Sequence, residues 1–512
     1  MSIVSSEHDS ATITPAKGHQ YLAPRCRPQV ASSPVGNGAR LLVEGTIIVL
    51  LASVLVRTWF VQTYTIDGSS MAPTLFARHV DVLCPCCSLE FATGLEGVAS
   101  DGRPVICPNC GAADTRISNS DARGGDSVLV DKAAFAWRRP RRWEIVSLRA
   151  PHDAAMVCAK RVVGLPGEEM SIVHGDVYID SHVARKNLGQ QRALGITVHD
   201  DQFRARQDRL PSCWQAEGDS QWTMTDEGFA FSAEAAEGLP RRHEGAKNAN
   251  SRGTGDDRQD TANVDTLLSS VPRDWLSYHH LRLDGDGVAD ESPVLDTYGY
   301  NQTLPIRELH AVRDLALTFQ LRAGGPGAIF LRGLVGTHEF VCVLTSEGRV
   351  QVLDNGKAVA DGTLNDPLIG GSKTIDFSLI DHACLLAVDG HVIIDYPFDQ
   401  PVADAPPTGR PFAIACEGMS LTITGLRVWR DVYYAESRPE SQIRALRLGE
   451  NEYFVLSDNA PMGVDSRDEH FGLVPFKLFV GKPLLAAGSG AVGLSWFPAI
   501  QVPALRQIRY IR

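Results

Sequence analysis

Met156-Val157-Cys158-Ala159-Lys160-Arg161-Val162-Val163-Gly164-Leu165-Pro166-Gly167-Glu168 reads as a strand closed by a turn. Val157, Val162 and Val163 favour extended backbone, and Leu-Pro-Gly-Glu ends it. Lys160 stands among Val157, Ala159, Val162 and Val163. An ammonium buried in such company loses hydration, so its pKa falls and it can serve as a neutral base near neutral pH. A strand lysine is more often solvated. Lys160 therefore gains meaning only from what the rest of the chain carries.

Upstream lies Ile66-Asp67-Gly68-Ser69-Ser70-Met71-Ala72-Pro73-Thr74-Leu75. The β-rich run from Phe60 ends here in a Gly-Ser-Ser turn, and Pro73 limits what can follow. A serine at such a turn can present its hydroxyl and a backbone N–H together, although most Ser-Ser turns only cap a neighbouring element. Downstream, Asn451-Glu452-Tyr453-Phe454-Val455-Leu456 precedes Ser457-Asp458-Asn459, with Val464-Asp465-Ser466-Arg467 after it. Short polar residues directly after an apolar strand suggest a hydrogen-bonded loop beside a site. Asp465 and Arg467 can form a charge-assisted pair.

Ahead of all three runs Leu41–Phe60, LLVEGTIIVLLASVLVRTWF. Twenty helical residues span about 30 Å, the thickness of a hydrocarbon core. Glu44 and Arg57 lie near its ends, where long side chains snorkel. A buried helix of a soluble protein is the alternative, because the uncharged part, Gly45–Val56, is short. Lys17, Arg25, Arg27 and Arg40 precede the segment, so the positive-inside rule puts the N-terminus in the cytoplasm and the rest outside. No small-x-small cleavage site follows, which argues against a removed signal peptide. Leu484–Ala499 is apolar too, but its Gly, Ser and Pro content fits a terminal strand pair better.

Together these features resemble the type I signal peptidases, membrane-anchored Ser-Lys proteases. The anchor, Ser-Met-x-Pro-Thr-Leu, Lys-Arg-x-Val-Gly-Leu-Pro-Gly-Glu, and Asp-Asn with Asp-Ser-Arg follow in the family's order. The matching stretches are Leu41 to Leu83, Ser127 to Ile179 and Leu446 to Arg512, under half of the chain. The resemblance implies that Ser70 is the nucleophile and Lys160 the general base, and that no cofactor is needed for catalysis. It implies that the Ser70 N–H helps hold the oxyanion. Asp458, Asn459, Asp465, Ser466 and Arg467 would support the site, and Ile66, Met71 and Ala159 would wall shallow pockets for small residues in an Ala-x-Ala pattern. The implied substrates are exported preproteins with signal peptides. The implied location is the inner (cytoplasmic) membrane, in contact with membrane lipid, with the catalytic domain extracytoplasmic. Two positions depart from the pattern. Some members carry a hydroxyl two residues before the nucleophile, where this chain has Gly68, which leaves Ser69 as a substitute donor. Some place a lysine-orienting serine two residues before the Asp of Asp-Ser-Arg, where this chain has Gly463. Ser457 stands where the family usually has glycine.

Two insertions interrupt this pattern. Cys84-Pro-Cys-Cys87 and Cys107-Pro-Asn-Cys110 are spaced like a zinc ribbon, with Cys84, Cys87, Cys107 and Cys110 as ligands and Cys86 spare. Disulfides or a redox pair are the alternative, favoured by an extracytoplasmic location. From 181 to 444, strand-like runs at Leu315–Arg322, Ala328–Leu334, Glu339–Leu344, Arg349–Leu353, Ile375–Ile380, Ala383–Val388, His391–Tyr396, Phe412–Cys416 and Leu421–Trp429 are separated by Gly, Asp and Asn turns. This predicts an antiparallel β-sandwich resembling concanavalin-like jelly rolls. Such a module can take a glycan or a protein ligand, but fold alone does not say which. The polar segment 236–264 reads as a flexible loop. Asp284-Gly-Asp286-Gly-Val-Ala-Asp290 spaces carboxylates like a calcium loop, but Leu295 stands where the twelfth-position glutamate belongs.

The predicted organisation of this mainly β chain is therefore nested. It has a flexible tail (1–39), an anchor (40–60), a peptidase domain in three pieces (61–83, 126–180, 445–512), a zinc-ribbon-like insert (84–125) and a sandwich insert (181–444). The 512 residues carry 49 Lys and Arg against 61 Asp and Glu, a net charge of −12. That balance argues against nucleic-acid binding, which needs a basic footprint. A rival reading is a catalytically inactive, membrane-anchored binding protein that works through the sandwich. A self-cleaving repressor-type Ser-Lys protease is opposed by the anchor and by the Leu-Pro-Gly-Glu and Asp-Ser-Arg runs.

Overall fold

The computed structural model describes residues 34–95, 104–113, 115–116, 122–205, 210–218, 220–232, 272, 274–283, 288–301, 309–399, 407–435, 445–488, 491–494, 497–503 and 508–511. The predicted loop 236–264, Asp284 and Asp286 of the carboxylate run, and the tail up to residue 33 lie outside them. The chain divides into two units, residues 1–58 and 59–512.

The first unit carries all but the last residue of the helix Pro34–Trp59. It begins six residues before the predicted anchor, inside what the sequence suggested was tail. Proline suits a first helical turn, where its missing N–H has no intrahelical acceptor to serve. Twenty-six residues make a rod of about 39 Å, and Gly38–Leu55 is apolar enough to cross a membrane. Thr46, Ser53 and Thr58 each turn their hydroxyl back to the carbonyl four residues earlier, at 2.7 Å. Such bonds satisfy the hydroxyls where no water is present.

In the second unit, stretches distant in sequence share one antiparallel sheet. Its order is Val61–Thr65, Ser127–Asp131, Phe479–Ala487, Ile145–Ala150, Asp153–Gly164, Glu452–Leu456 and Val474–Pro475, with Ile508–Tyr510 also pairing Phe479–Ala487. Ser127–Asp131 alternates, burying Val128 and Val130, as a half-buried strand must. The strand holding Lys160 lies between Ile145–Ala150 and Glu452–Leu456, and its last six residues are buried. The C-terminal strand pair is Ala491–Leu494 with Phe497–Pro503, whereas Leu484–Ala487, expected within it, belongs to Phe479–Ala487 of the main sheet.

Two further antiparallel sheets follow. One centres on Ser420–Arg430, Leu315–Gly324 and Ser372–Ile380, the other on Phe412–Glu417, Ala328–Val335 and His338–Thr345. Along Leu315–Gly324 the residues Leu315, Leu317, Phe319 and Leu321 face inward. They share one core with Ile329, Leu331, Phe340 and Ile414 of the other sheet, so alternate residues of both sheets close over a common interior. All nine sequence-predicted runs are strands. The sequence reading missed Lys357–Thr363 and the short strands Ile196–Asp200, Trp214–Ala216, Trp222–Met224, Gly228–Phe231 and Trp275–Tyr278.

Candidate functional site

The strand Glu452–Leu456 runs directly into Ser457, Asp458 and Asn459, all fully buried. This loop touches both chemical stretches. The Asn459 N–H donates to the Ser70 carbonyl at 3.0 Å, and its side-chain amide donates to the Ser69 carbonyl at 3.0 Å. Ser69–Met71 is thereby pinned as a single 3-10 turn. Ser69 is buried and Ser70 half-buried, so Ser70 is the more accessible hydroxyl. Beside Gly68 the space is open, so sterics do not explain the missing side chain there.

Lys160 is 3% exposed, and its Nζ donates to Ser457 Oγ at 2.9 Å. Burial pushes its pKa below the ordinary lysine value. Cys158, Asp465 and Asp458 partly oppose the shift, and Arg467 adds to it. Among the described residues no salt bridge reaches this amine and no hydrogen bond joins it to Ser70. Such bonds often form only when substrate binds. Ser457 and Asn459 are two residues apart, so one short loop holds both the lysine and the serine turn.

Ser457 was read from the sequence only as a departure. Its hydroxyl accepts the lysine hydrogen bond, and its N–H donates to Asp465 Oδ2 at 2.9 Å. Gly463 shows why the serine stands here. A Cβ at 463 would lie 2.0 Å from the Ser457 Cβ and Oγ, so only one of the two positions can carry a side chain in that space.

Clamps fix this loop. Asp458 takes two hydrogen bonds from Arg161, at 2.7 and 2.6 Å, and one from Thr74 Oγ1 at 2.5 Å. It thus ties the strand residue after Lys160 to the segment after Ser70. Burial works against the Arg161 charge, but Asp458 overrides it and holds the guanidinium above its ordinary pKa. Asp465, fully buried, is gripped by Arg467 at 2.9 and 2.8 Å. Arg467 also binds the Ala435 and Ala460 carbonyls. Ser466 Oγ accepts the Val455 N–H at 3.0 Å. Met71 and Ala159 belong to one apolar cluster with Leu75, Val128 and Ile145, and Ile66 packs against it.

A further support comes from residues 294–301, which no motif flagged. Asn301 and Asn459 exchange side-chain amide hydrogen bonds at 2.6 and 2.8 Å, and the Tyr298 hydroxyl donates to the Asp458 carbonyl at 3.0 Å. No sequence signal places position 301 beside position 459.

The four predicted cysteines converge. Cys84 and Cys110 sulfurs are 3.6 Å apart, as are those of Cys87 and Cys107, and all four lie within 4.8 Å of one another. None is in a disulfide. Sulfurs about 2.3 Å from a tetrahedral zinc stand roughly 3.8 Å apart, so the set fits that ion. Hydrogen bonds from Cys107 and Cys110 hold the Cys87 thiol far below its ordinary range, and contacts with Cys107 and Cys87 push Cys110 far above it. The two Cys pairs form matching turns, closed by Ser88 N–H to Cys84 O and Gly111 N–H to Cys107 O, both at 2.9 Å.

The family described as signal peptidase, peptidase S26, matches residues 114–225. That span contains Lys160 and not Ser70, and it runs on into the strands Ile196–Asp200 and Trp214–Ala216. The chain is 34% identical over 65 residues to signal peptidase I of Rickettsia massiliae, covering 12% of this chain and 24% of that protein. It is 34% identical over 70 residues to probable signal peptidase I-2 of Synechocystis, covering 12% of this chain and 31% of that one. The chain thus spans about a quarter and about a third of the length of these relatives. Among solved structures, the carbohydrate-binding module CBM66 from Bacillus subtilis aligns with 42% of this chain and 94% of its own, at 9% identity and TM-score 0.24.

Proposed function

We propose that this chain is a membrane-anchored serine endopeptidase of the signal peptidase I type, with Ser70 as nucleophile and Lys160 as base. The observation that carries the reading is a buried lysine amine that has no carboxylate partner among the described residues, held on the same loop that pins the Ser69–Ser70 turn. A charged ammonium there would be unpaired, so the neutral amine is favoured. The neutral amine removes the Ser70 proton as Oγ attacks the scissile carbonyl. The Ser70 N–H, with a second donor to which Ser69 is closest in sequence, holds the oxyanion. The lysine then returns its proton to the leaving amine. Water, deprotonated by the same lysine, attacks the acyl carbonyl, and the lysine passes that proton to the departing Ser70 Oγ, which releases the acid and regenerates Ser70.

The substrates are exported preproteins. Met71 and Ala159 share one apolar cluster with Ile66 packed against it, and these three side chains wall the pockets that take small residues before the cut. The helix Pro34–Trp59 anchors the protein in the cytoplasmic membrane with the catalytic body outside. The 181–444 insert is a β-sandwich that takes a glycan or a protein ligand. The cysteine set holds a structural zinc, since four thiolates leave no open coordination position. Two measurements test this. Purified protein should cleave a preprotein ending in Ala-x-Ala, and Ser70→Ala should lower the rate by at least about 10³-fold; undiminished cleavage refutes the nucleophile. Metal analysis should find one zinc per chain. Less than half an equivalent, with no titratable thiols, refutes the metal site.

A further inference from the structure

A cavity of about 350 Å³ lies where the cysteine knuckle, the two-sheet region, the short strand Leu281–Leu283 and segment 294–301 meet. Pro108 and Asn109 come from the knuckle, Arg430 from the strand Ser420–Arg430, Arg282 from a separate short strand, Leu281–Leu283, paired with Ala289–Glu291, and Tyr298 and Asn301 from the segment that supports the candidate active site. Among the described residues no Asp or Glu lines it, although the chain carries 61 of them.

The charges in the cavity are one-sided. Among the described residues, the Arg282 guanidinium has no ion pair and no hydrogen bond. Asp290, opposite it on the neighbouring strand, is exposed and does not reach it. Burial alone lowers the Arg282 pKa, with no anion to oppose the shift. Arg430 is 1% exposed; among the described residues it donates to the main-chain carbonyls of Thr297 at 2.6 Å and Asp431 at 2.8 Å and pairs with no carboxylate, and it also contacts the Tyr298 side chain, its guanidinium 4.8 Å from the ring centre. His280, on the same wall, is held neutral, with its pKa pushed down to about 3 by burial and by the neighbouring charges of Arg282 and His199. A half-buried guanidinium left unpaired is costly unless an anion completes it. Its planar fork matches carboxylate and phosphate oxygens. Val294, Leu295 and Leu309 supply apolar wall, which suits an organic body rather than a bare ion. The volume is at the small end for ligand sites.

We propose that this cavity binds a small organic anion, a carboxylate or phosphate on a compact carbon skeleton, with Arg282 as its principal ligand. The proposal does not rest on the peptidase reading, because the test reads binding and not cleavage.

The test is calorimetric titration of the full-length protein in detergent with citrate, glycerol 3-phosphate and inorganic phosphate, and with glycerol as the neutral control. At least one organic anion should bind saturably with Kd below about 1 mM, and glycerol should not. The citrate and glycerol 3-phosphate arms distinguish a carboxylate from a phosphate ligand. Arg282→Ala and Arg282→Met should each weaken binding by about tenfold or more. Neither should lower the melting temperature of the free protein, since each removes a buried unpaired charge. No saturable binding of either organic anion overturns the proposal. So does binding unchanged in both variants, inorganic phosphate binding as tightly as the organic anions, or glycerol binding as tightly as glycerol 3-phosphate.

Discussion

Lys160, Ser457 and Gly463 form the most informative group of residues. The apolar neighbours of Lys160 made its burial legible, because a strand of valines and alanine leaves little water for an ammonium. The partner of its amine was not legible, since Ser457 lies 297 residues away and sequence spacing carries no distance across a sheet. The serine and glycine at 457 and 463 make sense only in three dimensions, where both compete for one volume. Ser457→Ala should lower kcat by about tenfold with little change in KM, since it removes one buried hydrogen bond worth about 1 kcal/mol or more. Oγ accepts more strongly from an ammonium than from an amine, so losing it should also move the acid limb of the pH profile to lower pH. The exchange Ser457→Gly with Gly463→Ser should restore most of the rate. An unaltered profile in Ser457→Ala, with no recovery in the exchange, contradicts a positioning role. The linkage has a definite sign. The folded state disfavours the lysine proton, so below the unfolded lysine pKa the unfolded chain binds more protons and Lys160 costs stability. Lys160→Met should accordingly melt no lower than the wild type at neutral pH.

At the scale of elements, alternation and turn chemistry located the long strands well. The nine runs between 315 and 429 are apolar stretches punctuated by Gly, Asp and Asn, some alternating, as in Leu315–Arg322, and some continuous, as in Ala383–Val388. The short strands at 196–200, 214–216, 222–224, 228–231 and 275–278 escaped, because three to five residues are too few for a period to emerge. The cysteine turns were legible from spacing. The support from 294–301 was not, since Tyr298 and Asn301 follow no pattern. Asp458 joins two elements, the strand of Arg161 and the segment of Thr74. Asp458→Ala leaves a fully buried guanidinium without its anion, so it should destabilise the protein by about 3–5 kcal/mol, read by chemical denaturation. A loss under about 1 kcal/mol would show that the pair is replaceable.

At the scale of the whole molecule, the main sheet is assembled from stretches around 61–65, 127–164 and 452–510. Motif order along the chain was enough to suggest this interleaving, because a serine and a lysine required by one reaction cannot sit in separate consecutive domains. What motif order could not show is that inserted sequence returns to the site. Asn301 braces the residue that holds Ser69 and Ser70, so the region between 181 and 444 is mechanically part of the candidate active site and not an appendage. The central claim is that a buried, neutral Lys160 activates Ser70. It is tested most directly by the rate of preprotein cleavage from about pH 5 to about pH 9 for wild type and Lys160→Met. A wild-type rate that falls on the acid side, with no cleavage by the variant at any pH, is the predicted result. A flat wild-type profile, or a variant that still cleaves at the wild-type rate, would contradict it.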